Sequence, residues 1–381
     1  MAKRFFWLLL LLPLALAGCH EAELRRAGED TAAPLRVDAA TPERQRRLLD
    51  EVIPRLARKR VVYVGETHSN YGHHLLQLEI IRGLYRLRPG MAIGLEFFQQ
   101  PFQQVLDAYI GGEITEREML ARAEWYDRWI YDYRLYRPIL RFAREKGIPV
   151  VALNVPMEII GQVSRKGIGG LSEDERAALP TTIDTSDARY RERLRRVFEQ
   201  HQRRGGGRSF DRFMDVQLSW DEGMAEQIAD YLKRHPERYM VVLAGSGHLM
   251  YGSGIPSRVR RRLPLEDAIV LPGDDLKIEP GISDLVVVPV PARLPPAGLM
   301  GVMIGNHGDG VMIQGVAPGS AAASAGLRTG DMILSIDGTP VKSTSDVKIG
   351  MLDRRPGERL PLRIRRDGRT LELELRLDAA E

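Results

Sequence analysis

Uncharged apolar runs alternate with longer amphipathic segments between residues 43 and 288. Runs of this kind are typical of strands that are buried on both faces of a parallel sheet. They lie at 61–64, 91–95, 148–153 and 240–244. The amphipathic segments predict helices at 43–58, 71–88, 99–109, 115–146 and 209–234. Strands that alternate with helices predict a doubly wound α/β body over residues 43–288.

One segment of this body, at about 155–205, has no strand-like run. It contains closely spaced glycines, arginine-rich helical stretches and a glycine triplet at 205–207. We therefore expect a helical insertion there, packed beside or over the edge of the sheet, where it is able to close a pocket.

A change of composition marks the end of the α/β body. Residues 289–298 hold four prolines, which predicts a stiff linker at 289–296. A chain of 381 residues is long enough for two domains, so we expect a second domain at 297–381.

The N-terminus has the pattern of a bacterial lipoprotein signal. Lys3 and Arg4 precede an apolar run at 5–12, and the run is followed by Leu-Ala-Gly and Cys19. This predicts a signal peptide at 1–18, a lipid-modified Cys19 and a polar tether at 19–42. His20 follows the cysteine in place of an aspartate, which favours anchoring to the outer membrane, facing the periplasm, over the inner membrane.

Charge and cysteine content exclude several classes of protein. Removal of residues 1–18, which carry two cations and no anion, lowers the formal charge from +4 to +2. The processed chain is therefore not strongly basic, and we expect no nucleic-acid partner. A single cysteine excludes a disulfide framework and a multi-cysteine metal site.

Two short motifs that end in histidine directly follow predicted strands. They are GETH at 65–68 and GSGH at 245–248. Glu96 and Asn154 follow the other two strands. Because the carboxyl ends of parallel strands meet at one edge of a sheet, we expect polar side chains from all four strands to form one pocket. These candidate residues are Glu66, His68, Glu96, His248 and, with a possible role in a turn, Asn154.

Three interpretations of this group remain open. The residues Glu66, His68, Glu96 and His248 have the donor types that hold a divalent metal such as Zn, Mn or Co, with one position free for water. Without a metal, His68 paired with Glu66 is able to act as a general base. The third interpretation is a buried hydrogen-bonded network that stiffens the edge of the sheet.

The C-terminal residues 297–378 resemble a PDZ domain. The resemblance is carried by a glycine-containing loop at 299–302 and by motifs in the order of the bacterial members at 310–311, 316–322, 325–327, 330–334 and 336–338. The loop residues Leu299, Met300, Gly301 and Val302 stand where that family holds a terminal carboxylate. The resemblance implies a small, mainly β fold and a protein or peptide partner with a free C-terminus. The alternative is a groove that the chain's own residues occupy.

The α/β body resembles the ChaN family of iron-regulated haem-binding lipoproteins. The resemblance spans 45–272 and is carried by GETH at 65–68 with His73, His74 and Gln77, by GLEF at 94–97, by NVP at 154–156 and by GH at 247–248 with the GSGIP motif at 252–256. It implies haem as ligand, a tyrosine as iron ligand, a pocket completed by a second subunit, and hence a possible homodimer. It also implies a role in haem uptake or trafficking.

The resemblance leaves the identity of the iron-ligating tyrosine open. A predicted helix at 125–136 is rich in aromatic residues and places Trp125, Trp129, Tyr133 and Tyr136 on one face. A haem site needs apolar walls and one axial oxygen or nitrogen donor. The candidates are Tyr126, Tyr131, Tyr133 and Tyr136, with Tyr71 and Tyr251 beside the two histidine motifs.

The wider superfamily, which joins ChaN to erythromycin esterases and TIKI-type metalloproteases, implies other functions. Its hydrolytic members use the paired histidine motifs and a glutamate as metal ligands or as acid and base. The sequence thus predicts a lipid-anchored haem-binding protein with a PDZ module and favours a binding protein over an enzyme. The alternatives are a metal-dependent hydrolase or peptidase and a non-catalytic periplasmic adaptor.

Overall fold

The structure, a computed structural model, describes residues 34–38, 41–202, 209–274, 276–308 and 310–379. The predicted signal peptide, Cys19 and most of the predicted tether lie outside the described residues. The described chain forms two compact units. The first unit holds the residues up to Gln100 and Pro149–Ala292, and the second unit holds Pro101–Ile148 and the residues from Arg293 onward.

The first unit is built on a seven-stranded sheet in which every neighbouring pair is parallel. Its strands are β1 (Leu35–Asp38), β2 (Val61–Glu66), β3 (Met91–Gln99), β4 (Val150–Asn154), β5 (Tyr239–Gly245), β6 (Asp267–Pro272) and β7 (Leu285–Val288). The strands are arranged in the order β1-β7-β6-β2-β5-β3-β4. The α/β fold class with a parallel sheet is therefore confirmed, with β1, β6 and β7 added to the four predicted strands.

The helices of the chain are numbered in order through both units. In the first unit they are α1 (Pro42–Leu56), α2 (Tyr71–Leu87), α7 (Met157–Lys166), α8 (Glu173–Ala177), α9 (Ala188–Gln202), α10 (Phe210–Arg234) and α11 (Ile255–Arg262). In the second unit they are α3 (Gln103–Ile110), α4 (Glu116–Arg122), α5 (Trp125–Arg128), α6 (Arg137–Lys146), α12 (Ala321–Ser324) and α13 (Thr344–Met351). Short 3-10 helices cover Gln100–Phe102, Tyr133–Leu135, Ile168–Gly170, Ser246–His248 and Met250–Gly252.

The predicted helical insertion at 155–205 consists, in its described part, of α7, α8 and α9 without a strand. Apolar side chains of α7 and α9 pack on α10, with Val163 against Val216 in one cluster and Leu194 against Leu218 in another. Since α10 also packs on the sheet through Met224 and Ile228, it connects the insertion to the core of the first unit.

The single helix predicted at 115–146 is wrong. Glu124 adopts a left-handed backbone with φ 50°, and Trp129 is extended, so the segment breaks into α4, α5, a 3-10 turn and α6. The breaks let Trp125 pack edge-on against Tyr133 and Tyr136, at ring distances of 5.3 and 5.5 Å. Aromatic packing of this kind outweighs the helical periodicity that the sequence shows.

Part of the polar tether predicted at 19–42 is instead a strand of the sheet. Leu35–Asp38 form β1, which pairs in parallel with β7 at the end of the sheet. Only Val37 of this strand is buried, so backbone hydrogen bonding, and not an apolar pattern, holds it there. Composition by itself therefore did not indicate this strand.

The second unit joins α3–α6 to a small antiparallel domain. Its strands are β8 (Gly298–Leu299), β9 (Val302–His307), β10 (Gly310–Val316), β11 (Met332–Ile336), β12 (Thr339–Pro340), β13 (Arg359–Arg366), β14 (Arg369–Arg376) and β15 (Asp378–Ala379). The main sheet has the order β14-β13-β11-β10-β9, with β12 on β11, so β9 lies at its edge. The mainly β fold predicted for a PDZ domain is confirmed.

Two arginines bind the helical segment to the small domain within the second unit. Arg117 and Arg137 contact Asp353 at 3.1 and 2.6 Å, and Ser345 Oγ donates to Asp127 at 2.8 Å. The predicted division at 289–296 therefore differs from the two compact units, because Pro101–Ile148 pack with the C-terminal residues. Among the described residues, no helix has the length and apolarity that a membrane crossing requires.

Candidate functional site

The polar side chains predicted to meet at the edge of the sheet do lie together. The strands β2, β5 and β3 are neighbours, and their carboxyl ends deliver Glu66, Gly245 and Glu96. The four predicted side chains are buried, with 2% of Glu66, 8% of His68, 4% of Glu96 and 9% of His248 exposed. Their burial means that each charge needs a partner inside the protein.

Glu66 and His68 form the first carboxylate–histidine pair. His68 Nδ1 donates to Glu66 Oε1 at 2.6 Å, and His74 Nδ1 lies 2.9 Å from Glu66 Oε2. Burial by itself favours the protonated carboxyl, but the positive charge of His74 and the hydrogen bond from His68 lower the pKa of Glu66 overall. Burial opposes the charged form of His68 as well, yet Glu66 and Glu96 raise its pKa.

Asp221 and His248 form the second pair, which the sequence analysis missed. His248 Nδ1 donates to Asp221 Oδ1 at 2.5 Å, and the hydroxyl of Tyr190 donates to Asp221 Oδ2 at 2.6 Å. Burial lowers the pKa of His248, but Asp221 and Glu96 outweigh it and raise the pKa to about 9. Asp221 is only 1% exposed on α10, and an acid on the apolar face of a helix was the feature that could have indicated it.

Glu96 lies between the two pairs. Its Oε2 accepts a hydrogen bond from the backbone N–H of Gly245 at 2.6 Å, and its Oε1 is 3.4 Å from His248 Nε2. A Cβ on Gly245 would stand 3.0 Å from His68 Cε1 and 3.6 Å from Glu96 Oε2. A glycine is therefore needed here so that the imidazole of His68 is able to approach the strand end.

The arrangement favours protonated imidazoles. With its pKa at about 9, His248 is an imidazolium near neutral pH, and the pKa of His68 is also above its usual value. Such groups donate hydrogen bonds or act as general acids. The general-base role predicted for His68 requires the neutral imidazole, which the carboxylates around it disfavour.

The predicted divalent-metal centre finds no support in this geometry. Within the part of the chain that the structure describes, no group of three or more His, Cys, Asp or Glu side chains is arranged to hold a metal ion. The Nδ1 atoms of His68 and His248 are directed to Glu66 and Asp221, and Glu96 accepts from Gly245.

The fifth predicted residue of this group, Asn154, ends β4. Its side-chain Oδ1 is buried and has no hydrogen-bond partner among the described residues. Neither the pairs above nor Glu96 involves it.

Four of the candidate tyrosines lie in the second unit. The hydroxyl of Tyr133 donates to Glu116 at 3.0 Å, that of Tyr136 accepts from Trp129 Nε1 at 3.2 Å, and both side chains are fully buried. Lys348 Nζ lies 5.4 Å from the ring centre of Tyr126, and burial raises the pKa of Tyr126. Tyr131 is half-buried and packs on Trp129. Tyr133 and Tyr136 are therefore parts of the core.

The other two candidates, Tyr71 and Tyr251, lie in the first unit. Tyr251 is 41% exposed and has a left-handed backbone with φ 60°, which is strained for an aromatic residue. Its hydroxyl donates to Glu279 Oε2 at 2.8 Å. Burial and this acceptor raise the pKa of Tyr251 to about 12. Tyr71 is half-buried at the start of α2.

The predicted carboxylate-binding loop joins β8 to β9 in the second unit. Leu299 is 43% exposed, Met300 is buried, and Gly301 has a left-handed φ of 77°. A Cβ on Gly301 would stand 2.3 Å from Ser320 Cβ, so the loop requires glycine. The carbonyls of Met300 and Gly301 accept from Ala322 and Ala317, at 2.8 and 2.9 Å, which orients the peptide planes of the loop.

Comparison with known families gives two matches. The family described as haem-binding uptake, Tiki superfamily, ChaN, matches residues 52–259, and the PDZ domain matches residues 298–377.

Individual relatives cover parts of the chain. Protein RETICULATA-RELATED 5, chloroplastic, of Arabidopsis thaliana is 25% identical over 243 residues, which cover 57% of this chain and 31% of that protein. The periplasmic pH-dependent serine endoprotease DegQ of Escherichia coli (strain K12) is 28% identical over 140 residues, 37% of this chain and 29% of that protein. The chain thus spans about a third of the length of these curated relatives.

A solved structure shares the fold of the first unit's region. The structure described as cofacial heme binding to ChaN of Campylobacter jejuni superimposes with a TM-score of 0.51 at 18% identity. The match covers 62% of this chain and 90% of that one.

Proposed function

The chain belongs to the ChaN family of the Tiki superfamily, described as haem-binding uptake, and carries a PDZ domain. From this premise we propose that it is a lipid-anchored protein of haem uptake. In this proposal the first unit takes up haem as cargo. The PDZ domain recruits a protein with a free C-terminus. The observation that carries the haem proposal is the family match over 52–259, joined with an exposed tyrosine beside the second histidine motif.

The residues around Tyr251 fit a haem iron. A haem site needs an axial donor that the ligand is able to reach, and cations that meet the propionates. Tyr251 offers a half-exposed phenol, and the charges of Arg193 and Arg196 act on it, opposing the rise of its pKa. Tyr133 and Tyr136 fit poorly, because their buried hydroxyls already serve Glu116 and Trp129.

We therefore propose Tyr251 as the axial ligand. When haem is bound, its iron would be coordinated by the phenolate oxygen of Tyr251. Glu279 accepts the phenolic hydrogen bond; burial, together with this acceptor, raises the pKa of Tyr251 to about 12 and disfavours the free phenolate near neutral pH. Among the described tyrosines of the first unit, Tyr63, Tyr190 and Tyr239 are buried, whereas Tyr251 is 41% exposed.

Haemin titration tests this assignment. The native protein is expected to give a shifted Soret band and the charge-transfer band of a tyrosinate-ligated ferric haem. Tyr251→Phe is expected to lose that charge-transfer band and to bind haemin about tenfold more weakly, because the axial bond is gone. Tyr71→Phe is the matched control in the same unit, and it should bind as the native protein does.

Each other outcome has a definite meaning. A tyrosinate spectrum that survives in Tyr251→Phe would move the ligand to Tyr71, Tyr126 or Tyr131. Native protein without any Soret change at micromolar concentration would remove haem binding altogether. In that case cleavage of a chromogenic ester that His68→Ala abolishes would favour the second candidate, a metal-free hydrolase, which the two carboxylate–histidine pairs support.

We also propose that a second copy of the chain completes the haem site. The similar ChaN structure is described as binding haem cofacially, and the half-exposed phenol of Tyr251 leaves one side of a bound haem for a partner. Sedimentation during the same titration would show a dimer that forms with haemin, and a strict monomer at saturation would refute it.

The proposed location is the outer membrane, with the protein facing the periplasm. It is supported by the lipoprotein motif that ends at Cys19 and by His20 after it. Radiolabelled palmitate is expected to label the native chain in bacteria and to leave Cys19→Ser unlabelled. Equal labelling of both would exclude lipid attachment at Cys19, and recovery of the native chain with the inner membrane would correct the location.

A further inference from the structure

Arg193 of α9 has a guanidinium whose hydrogen-bonding capacity is only partly used. Its Nη1 donates to the carbonyl of Gly247 at 2.9 Å, and its carbon Cζ lies 5.3 Å from the ring centre of Tyr190. Its Nε and Nη2 are buried and have no hydrogen-bond partner among the described residues. This is an uncommon state for a charged group, because burial removes water without replacing it.

Arg258, which lies over the same tyrosine ring, also has a buried Nε without a hydrogen bond, but it differs from Arg193 in having a carboxylate beside it. Its Cζ is 4.3 Å from the ring centre of Tyr190, its Nη1 donates to the carbonyl of Ser253 at 2.6 Å, and its Nε is 3.2 Å from Glu222. Arg258 is therefore neutralised by a buried carboxylate. No carboxylate in the described part of the chain forms an ion pair with Arg193, so the two arginines differ in role.

The two nitrogen atoms of Arg193 without partners, Nε and Nη2, lie on one edge of its guanidinium. The Nε–H bond and one N–H bond of Nη2 point in parallel from a planar guanidinium, which is the geometry that binds both oxygens of a carboxylate. Because Nη1 is held by Gly247, the guanidinium is fixed in one orientation. A carboxylate would satisfy both orphan atoms at once.

The carboxylates of Asp221 and Glu279 have partners other than Arg193. His248, next to Gly247, is an imidazolium because its pKa is raised to about 9. The carboxylate of Asp221 is already engaged by His248 and Tyr190, and that of Glu279 by Tyr251 and Lys277. Arg193 acts electrostatically on both His248 and Tyr251 and adds positive charge to this region.

We propose that the Nε–Nη2 edge of Arg193 is a carboxylate-binding subsite, which takes a propionate group when the ligand is haem. The inference rests on the proposed haem-binding function for the identity of the ligand. Its chemistry, an arginine edge that lacks an anion, is a property of the chain itself. The covering side chains must then move aside when the ligand enters, because both atoms are buried.

A comparison of haemin with its dimethyl ester tests the subsite, because the ester keeps the iron and the ring but removes the carboxylate charge. In one detergent-containing buffer, Arg193→Met is expected to weaken haemin binding about tenfold and to leave binding of the ester unchanged. Arg195→Met is the matched control, since Arg195 is exposed on the same helix and its Cζ stacks 4.3 Å from the Phe210 ring centre. Equal losses for haemin and ester in Arg193→Met would overturn the proposal.

A measurement without haem keeps the subsite and the haem function separable. Sodium propionate, compared with sodium chloride at the same ionic strength, is expected to raise the thermal midpoint of the native protein and not that of Arg193→Met. Without any ligand, Arg193→Met should be at least as stable as the native chain, because it removes an unpaired buried charge. A marked loss of stability, or a propionate effect of the same size in both proteins, would show a structural arginine and overturn the subsite. A missing Soret band would contradict the haem-binding proposal and would have no bearing on the carboxylate subsite.

Discussion

Asp221→Ala is expected to lower the free energy of unfolding by about 3 kcal/mol at pH 6. The side chain is 1% exposed and accepts hydrogen bonds from His248 at 2.5 Å and from Tyr190 at 2.6 Å. Its removal leaves a buried imidazolium with only the more distant Glu96 as a counter-charge, and a buried tyrosine hydroxyl without an acceptor. Breaking one partner of a buried ion pair is among the most destabilising single changes.

The pH dependence provides a second measure of the same contact. The folded-state pKa of His248, about 9, exceeds the ordinary histidine value of 6.5. The contribution of this group is therefore complete below pH 6.5 and is lost as the pH rises through 9. Native protein should lose about 3 kcal/mol from this group over that interval, and Asp221→Ala should not.

Urea unfolding at several pH values, together with a nuclear magnetic resonance titration of His248, measures both effects. Asp211→Ala is the control on the same helix, because Asp211 pairs with Arg191 at the surface and its side chain is 79% exposed. A His248 that still titrates near pH 9 in Asp221→Ala, or an unchanged free energy of unfolding, would contradict the assigned pair.

Gly301→Ala is expected to weaken peptide binding by the PDZ domain about a hundredfold, since two hydrogen bonds to a carboxylate contribute about 1.5 kcal/mol each. Gly301 has a φ of 77°, which disfavours alanine, and the new Cβ would stand 2.3 Å from Ser320 Cβ. The loop must then shift. A shift moves the N–H groups at Met300 and Gly301 away from the positions at which they meet a terminal carboxylate.

Fluorescence anisotropy of the full chain with a labelled peptide that ends in valine measures this loss. Gly319→Ala is the matched control, because Gly319 has a φ of 72° and open space around the position of a Cβ. The control carries the same backbone penalty without the clash, so it should keep most of the affinity. An amidated peptide tests the carboxylate itself.

Three outcomes would contradict this expectation. Equal binding by Gly301→Ala and the native chain would show that the loop does not hold the peptide. Equal binding of free and amidated peptides would show that the carboxylate is not recognised. Failure of every apolar C-terminus to bind the native chain would favour a groove that the protein's own residues occupy.

Much of the fold followed from local patterns. Apolar runs at 61–64, 91–95, 148–153 and 240–244 became parallel strands, because short uncharged runs that alternate with amphipathic helices favour a sheet that is covered on both faces. The convergence of Glu66, His68, Glu96 and His248 then followed from topology alone.

Local patterns failed where distant packing competes with them. The aromatic segment at 115–146 has helical spacing, yet Glu124 takes a left-handed backbone and the segment folds back so that Trp125 meets Tyr133 and Tyr136. The strand Leu35–Asp38 has little apolar pattern and is held by its neighbour β7. In both cases the stabilising partner lies outside the three- and four-residue or alternating spacing that a local pattern records.

The sequence by itself determined that this chain joins a parallel α/β body to a PDZ domain and that two histidine motifs meet at one edge of the sheet. These features can be read from short stretches of sequence, because the spacing of apolar residues, the ends of strands and the positions of glycines are local properties. Only the tertiary structure decided that His248 is paired with Asp221, that Tyr251 is exposed while Tyr133 and Tyr136 are buried, and that an edge of Arg193 lacks an anion. The physical reason is that burial and Coulomb interaction depend on distances between side chains that are remote in sequence, and no local pattern records those distances.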